Sequence, residues 1–220
     1  MSPPVKIVFG TGSVGDRITG ASTQEALDLL HKHGHVEIDT AAVYPNNQPG
    51  ASESEIGKVH PDWARVSTKV MAGVERSNSR GKMQQSLEGS LEKLNGLDLD
   101  IFYYHVPEAA TPMEEQAAAM DEAHKAGKFK RFGISNFSPE QVEELAEIAE
   151  RKGECGFFAL PLLRLVLLVL QLDRTLTFGQ AMSGQACSRD NTTCWPGRVR
   201  TICCLFCANM GLRITPTREQ

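Results

Sequence analysis

Val36-Glu37-Ile38-Asp39-Thr40-Ala41-Ala42-Val43-Tyr44 is the stretch on which the fold turns. An apolar run ends on Asp39, and Tyr44 follows in the loop beyond it. Two later runs end in the same manner. Val66-Ser67-Thr68-Lys69 closes on a lysine, and Ile101-Phe102-Tyr103-Tyr104-His105 closes on a histidine. A carboxylate, a phenol, an ammonium and an imidazole at successive strand ends make a set able to hold and move a proton.

Around these runs the chain alternates strictly. Strands are predicted at 5–9, 36–38, 65–69, 99–104 and 130–134, and helices at 23–33, 52–58, 80–94, 113–126 and 139–151. The first helix carries Ala26, Leu27, Leu29 and Leu30 as its apolar positions, with Ser22 or Thr23 as cap. Met83, Leu87, Leu91 and Leu94 share one face of the third. Gly127 stops the fourth, and Ser138 followed by Pro139 opens the fifth. Five strand–helix units in alternation imply a parallel sheet with crossover helices. They could open a doubly wound sheet or a (β/α)₈ barrel. In a barrel, function gathers at the C-terminal strand ends, where Asp39, Tyr44, Lys69 and His105 all fall, so the barrel is favoured.

The chain has 220 residues and a formal net charge of −4, which gives no electrostatic reason to expect nucleic acid or an anionic membrane as partner. Met1-Ser2-Pro3-Pro4 leads straight into a strand-like run, so a cytoplasmic protein is expected. All six cysteines lie after residue 150. The division expected is therefore a partial barrel at 1–153 and an aberrant tail at 154–220.

Reduction of a carbonyl group needs a hydride for carbon and a proton for oxygen. A free tyrosine, pKa about 10, is a weak acid at neutral pH. A nearby lysine ammonium favours the phenolate, and an aspartate paired with that lysine orients it. A histidine can hydrogen-bond the substrate oxygen. Singly, each residue has an ordinary explanation: Asp39 as a helix cap, Lys69 as a solvated loop residue, His105 as a satisfied core histidine. Their order along the chain argues for the set.

On these residues the chain resembles the aldo-keto reductases, closest to the aflatoxin-aldehyde-reductase-like branch. The matching text is Phe9-Gly10-Thr11, Asp39-Thr40-Ala41 with Tyr44, Ser67-Thr68-Lys69, Tyr104-His105 and Gly133-Ile134-Ser135-Asn136-Phe137. The resemblance implies NADPH as hydride donor and a small aldehyde or ketone as substrate. It implies Tyr44 as general acid, Lys69 and Asp39 as its tuning pair, and His105 as substrate orienter. It places Ser135 and Asn136 at the nicotinamide carboxamide, with Asp39 and Thr11 also on the cofactor side. No metal is expected.

Gly10-Thr11-Gly12-Ser13-Val14-Gly15 also fits the G-x-G-x-x-G dinucleotide fingerprint. In a true Rossmann unit the helix opens at the glycines, whereas here Asp16-Arg17-Ile18-Thr19-Gly20 intervenes. The motif is therefore read as the barrel loop after the first strand.

After Gly153 the alternation stops. Residues 157–172 are almost wholly apolar, yet Pro161 and Arg164 interrupt them and the run is short for a membrane span. Cys204-x-x-Cys207 lacks a second ligand pair at metal-site spacing. The family's later segments are missing, and codon logic suggests a retained intron followed by a shifted frame. Gly153-Glu154-Cys155 can be encoded GGT GAG TGC, which contains a splice donor, and Gln180 can be CAG, an acceptor. Read one base earlier, Cys194-Trp195, Cys203-Cys204 and Phe206-Cys207 each force Leu, Trp195-Pro196 forces Ala and Met210-Gly211 forces Gly. The open positions then permit a Gly-Gln-Tyr-Asn string of the kind the family carries. Five units leave exposed sheet edges, so little turnover is expected from the 220-residue chain itself. The alternative is a non-catalytic truncated barrel whose apolar tail binds a partner or a membrane.

Overall fold

The structure is a computed structural model that describes residues 7–152. The tail at 154–220, with its cysteines and its apolar run, lies outside the described residues, as do residues 5 and 6 of the first expected strand. Ten elements follow in alternation: β1 (Val8–Gly10), α1 (Ala21–Lys32), β2 (Glu37–Asp39), α2 (Ala51–Val59), β3 (Arg65–Lys69), α3 (Arg80–Lys93), β4 (Leu99–Tyr104), α4 (Met113–Lys125), β5 (Arg131–Ile134) and α5 (Pro139–Lys152). All belong to one compact unit, Val8–Phe158.

The five strands are parallel and lie in the order β1-β2-β3-β4-β5. A dinucleotide fold of the Rossmann kind reverses its strand order at a switch point; here the order runs straight through, as it does in a barrel. The glycine run confirms the distinction. It forms turns closed by a Val14–Ile18 bridge, and α1 opens only at Ala21. Gly15 has a use of its own: φ is +89°, and a Cβ there would lie 2.7 Å from the Ala51 backbone carbon. It lets the first loop press on the start of α2.

Strand alternation separates two faces. Ile38, Val66, Phe102 and Tyr104 point into the helix layer, where they pack with Leu27, Leu30, Ile56, Met83, Leu87, Leu94 and Met120. Consecutive helices pack against one another in chain order, as expected for crossovers on one side of the sheet. The opposite face carries Asp39, Ser67, Lys69, Tyr103 and Gly133, joined by the register pairs Asp39–Ser67, Lys69–Tyr103 and Tyr103–Gly133.

Two local expectations need correction. Thr23 is not the cap of α1; it is buried inside the helix, and the chain enters at Gly20, whose N–H donates to Glu55 Oε2 at 2.8 Å. Leu29 is exposed, and the buried stripe runs through Thr23, Leu27 and Leu30. At α5 the expected start holds. Gln141 N–H donates to Ser138 Oγ (3.3 Å) while Ser138 N–H donates to Gln141 Oε1 (2.9 Å), a reciprocal capping box with Pro139 in the first turn. Among the described residues no helix is long and apolar enough to cross a membrane.

Candidate active site

The site is assembled by continuing the ladder past the strand ends. Thr40 N–H donates to Ser67 O, Ala42 N–H to Lys69 O, and Ser135 N–H to Tyr104 O, at 2.8, 3.1 and 3.0 Å. Residues directly after each strand are thus held in register, and their side chains converge at one end of the sheet.

Lys69 is the centre of that end. It is 7% exposed, and its ammonium donates to Asp39 Oδ2 at 2.6 Å and to Thr40 O at 2.8 Å. The same nitrogen lies 5.3 Å from the centre of the Tyr44 ring and 5.6 Å from that of Tyr103. Tyr103 can lie there because its neighbour is Gly133: a Cβ on Gly133 would sit 2.3 Å from a Tyr103 ring carbon.

Tyr44 and His105 meet edge to face, ring centres 5.7 Å apart. Burial, with the Asp39 anion adding to it, holds the Tyr44 phenol above its ordinary value. The sequence suggested the reverse, a phenol eased toward ionisation by Lys69. The reason is burial first: desolvation of the phenol outweighs any easing by Lys69, which is itself paired with Asp39 at 2.6 Å. Tyr44 therefore keeps its proton at neutral pH. Burial, then the Lys69 charge, push the His105 imidazole below its ordinary value, with Asp39 opposing. His105 is neutral at neutral pH, and its Nδ1 is buried without a hydrogen-bond partner among the described residues.

The loop behind His105 is fixed by a buried amide network that the sequence did not announce. Asn78 Nδ2 donates to Val106 O and to Gln116 Oε1, at 2.9 and 3.0 Å. Gln116 Nε2 donates to Glu108 O and Thr111 O, and the Tyr104 hydroxyl donates to Gln116 O.

After β5, Asn136 takes a left-handed backbone, φ 63°, a conformation Asn tolerates. Its Nδ2 donates to His105 O (2.9 Å) and to Ser135 Oγ (3.1 Å). Thr11 stands apart from this pair. It is fully buried, and its hydroxyl donates to Asp39 O at 3.0 Å. It acts on the site through the backbone of Asp39.

A family model described as Aldo/keto reductase family matches residues 6–163. The chain belongs to the aldo-keto reductase family. It is 33% identical to an aldo-keto reductase of Pseudocercospora fijiensis over 135 residues, covering 58% of this chain and 44% of the relative. It is 30% identical to aflatoxin B1 aldehyde reductase member 2 of Homo sapiens over 157 residues, 69% of this chain and 43% of the relative. Among solved structures, the glycerol dehydrogenase of Gluconobacter oxydans matches with a TM-score of 0.57 at 28% identity, covering 68% of this chain and 50% of that one. The chain thus spans less than half the length of these curated relatives.

Aldo-keto reductases use a nicotinamide dinucleotide, whose carboxamide has one donor group and one acceptor group. Asn136 turns its NH₂ to His105 O and Ser135 Oγ, which leaves Oδ1 to accept from an amide NH₂. Ser135 Oγ accepts from Asn136, which leaves its own proton to donate to an amide oxygen. A carboxamide offers that same pair of groups. His105 Nδ1, which has no hydrogen-bond partner among the described residues, is a further polar group at this end of the sheet.

Proposed function

We propose that these residues form the catalytic half of an NADPH-dependent carbonyl reductase, with a small aldehyde or ketone as substrate. The observation that carries the reading is the convergence of Tyr44, Lys69, Asp39 and His105 at one end of the parallel sheet, with Lys69 bound to Asp39 and Tyr44 beside both. The bound dinucleotide would supply a hydride to the carbonyl carbon. Tyr44 supplies the proton to the carbonyl oxygen. A phenol held above its ordinary value keeps that proton until the oxygen gains the negative charge of an alkoxide, a far stronger base than a phenolate. Lys69, fixed by Asp39, places positive charge beside the phenolate that results. Neutral His105 orients the carbonyl oxygen, and Ser135 and Asn136 hold the nicotinamide.

The reading is tested by following NADPH oxidation with small aldehydes, using the purified 220-residue chain and its Tyr44→Phe variant. Slow turnover that falls by about 10²–10⁴-fold on removing the hydroxyl supports it. Turnover indifferent to Tyr44 would refute the assignment of the proton donor. Oxidation of NADH as fast as NADPH would refute the cofactor assignment.

A further inference from the structure

We propose that Ser52 and Glu53, adjacent in the first turn of α2, are positioning residues that fix the strand ends bearing Asp39 and Lys69 and the loop bearing Tyr44. The inference deepens the reductase reading and rests on it for what is being positioned.

Both side chains are fully buried, an unusual setting for a Ser-Glu pair at the start of a helix. Ser52 Oγ lies 2.8 Å from Thr11 Oγ1, 3.1 Å from Thr11 O and 2.9 Å from Thr40 Oγ1. A hydroxyl has one proton to give. Thr11 gives its proton to Asp39 O, so it accepts from Ser52, and Ser52, having given, accepts from Thr40. The chain runs one way, Thr40 to Ser52 to Thr11 to the Asp39 carbonyl. Its first residue also offers the carbonyl that receives the Lys69 ammonium. Ser52 completes the clamp with its backbone, donating N–H to Tyr44 O at 3.2 Å.

Glu53 does for β3 what Ser52 does for β1 and β2. Its Oε1 accepts from Thr68 Oγ1 at 2.6 Å. Thr68 immediately precedes Lys69, and strand alternation turns it into the helix layer while Lys69 faces the site. Among the described residues the other oxygen, Oε2, has no partner of full hydrogen-bond geometry, and neither does the Ser90 hydroxyl that faces the carboxyl from α3. Burial holds the Glu53 carboxyl above its ordinary value, against smaller opposing effects of Thr68, Ser90 and Lys93. In either protonation state the carboxyl accepts from Thr68, and when protonated it can also donate toward Ser90. Buried polar groups are costly unless satisfied, and in return they specify one geometry. Here the groups they grip are Thr40 and Thr68, the immediate neighbours of Asp39 and Lys69, and the carbonyl of Tyr44 itself.

The test uses the full 220-residue chain. The His105 ring is titrated by NMR without ligand, because it senses Lys69, Asp39 and Tyr44 around it. Ser52→Ala and Glu53→Ala are expected to move its midpoint upward, toward the ordinary imidazole value, as the packed site loosens. Glu53→Gln, which accepts from Thr68 and donates toward Ser90, is expected to return it to the wild-type position. Lys58→Ala, on the exposed side of the same helix, is expected to leave it there. With an aldehyde substrate, Ser52→Ala is expected to lower kcat by about 10–100-fold with KM little changed, the scale of a small misplacement of reacting groups. If Ser52→Ala or Glu53→Ala does not fold, Thr40→Val and Thr68→Val remove one hydroxyl each at nearly constant shape, with the same upward shift expected. Folded variants whose His105 titration coincides with wild type would overturn the proposal. Absence of turnover in wild type would overturn the reductase reading for this chain, while the His105 titration would still decide the clamp.

Discussion

Lys69 Nζ lies 2.6 Å from Asp39 Oδ2, across thirty residues of chain, and this ion pair sets the electrostatics felt by Tyr44. Asp39 is one of the two causes that hold the Tyr44 phenol above its ordinary value, the larger being burial. Asp39→Asn removes the anion and leaves Lys69 uncompensated. The Tyr44 ionisation is therefore expected to move downward, seen as tyrosinate absorbance appearing at lower pH. The chain has three tyrosines, and comparison with Tyr44→Phe assigns the change. An unchanged titration would mean that Asp39 and Tyr44 are electrostatically independent. Loss of the partner should also leave Lys69 less firmly placed, so kcat is expected to fall with it.

How much of this was legible in the sequence depends on the kind of signal each residue leaves. Alternating strands and helices write a periodic pattern, and all ten elements lie where that pattern predicts them, within a few residues. Asp39, Lys69 and His105 were visible because each closes an apolar run, and Tyr44 because it follows in the loop after the first of them. Ser52 and Glu53 were not. Polar residues in the first turn of a helix ordinarily face water, and only the tertiary approach of Thr11, Thr40 and Thr68 turns them inward. Thr23 and Leu29 failed for a related reason. Composition predicts Leu inside and Thr at the cap, yet the packed face of α1 buries Thr23 and leaves Leu29 exposed. The direction of the Tyr44 shift was also out of reach, because its larger cause is burial, which only the folded site sets.

Glu53 gives a stability that depends on pH, with a definite sign. Its folded value is raised above its ordinary value, chiefly by burial, so the folded chain holds the proton to higher pH than the unfolded chain. The stability it contributes is complete below the unfolded value and is lost as pH rises through the folded value. Glu53→Gln cannot ionise. Relative to that variant, wild type is expected to lose stability as pH rises through this window and then to level off. Urea unfolding at a series of pH values measures the difference directly. Parallel curves for the two proteins would show that Glu53 ionises alike in both states.

Gly133 and Gly81 separate two roles of glycine. Gly133 admits the Tyr103 ring beside Lys69, and a Cβ there would strike Tyr103 at 2.3 Å and Ile101 at 2.9 Å. Gly133→Ala is expected to destabilise the fold by about 1–3 kcal/mol, the usual range for overpacking, and to displace Tyr103 from Lys69. Gly81 sits in α3 with nothing within 4 Å of a Cβ. Gly81→Ala is expected to stabilise by about 0.5 kcal/mol by restricting the unfolded chain. Chemical denaturation midpoints with unchanged m-values test both. If the two substitutions act alike, the packing of Tyr103 against Gly133 is not what constrains β5.

The message that encodes residues 150–190 is open to a direct test. We infer that the segment from Gly153 to Gln180 is intronic and that the residues after it are read in a shifted frame. The donor-like and acceptor-like codons permit this, and splicing from the first base of the Gly153 codon to Ala181 restores a glycine and a single frame. The forced Leu, Ala and Gly residues do not depend on codon choice, so they are the part of the argument that chance must explain. The family match runs to residue 163, inside the segment assigned to the intron, and weighs on the other side. Sequencing cDNA across codons 150–190 decides between them. A message lacking the segment, continuing into a Gly-Gln-Tyr-Asn string, is expected, and the working protein would then be a longer reductase. An abundant message that retains the segment and is loaded on ribosomes would overturn the splice assignment. The 220-residue chain would then be the product on which the Tyr44 and Ser52 variants must be judged.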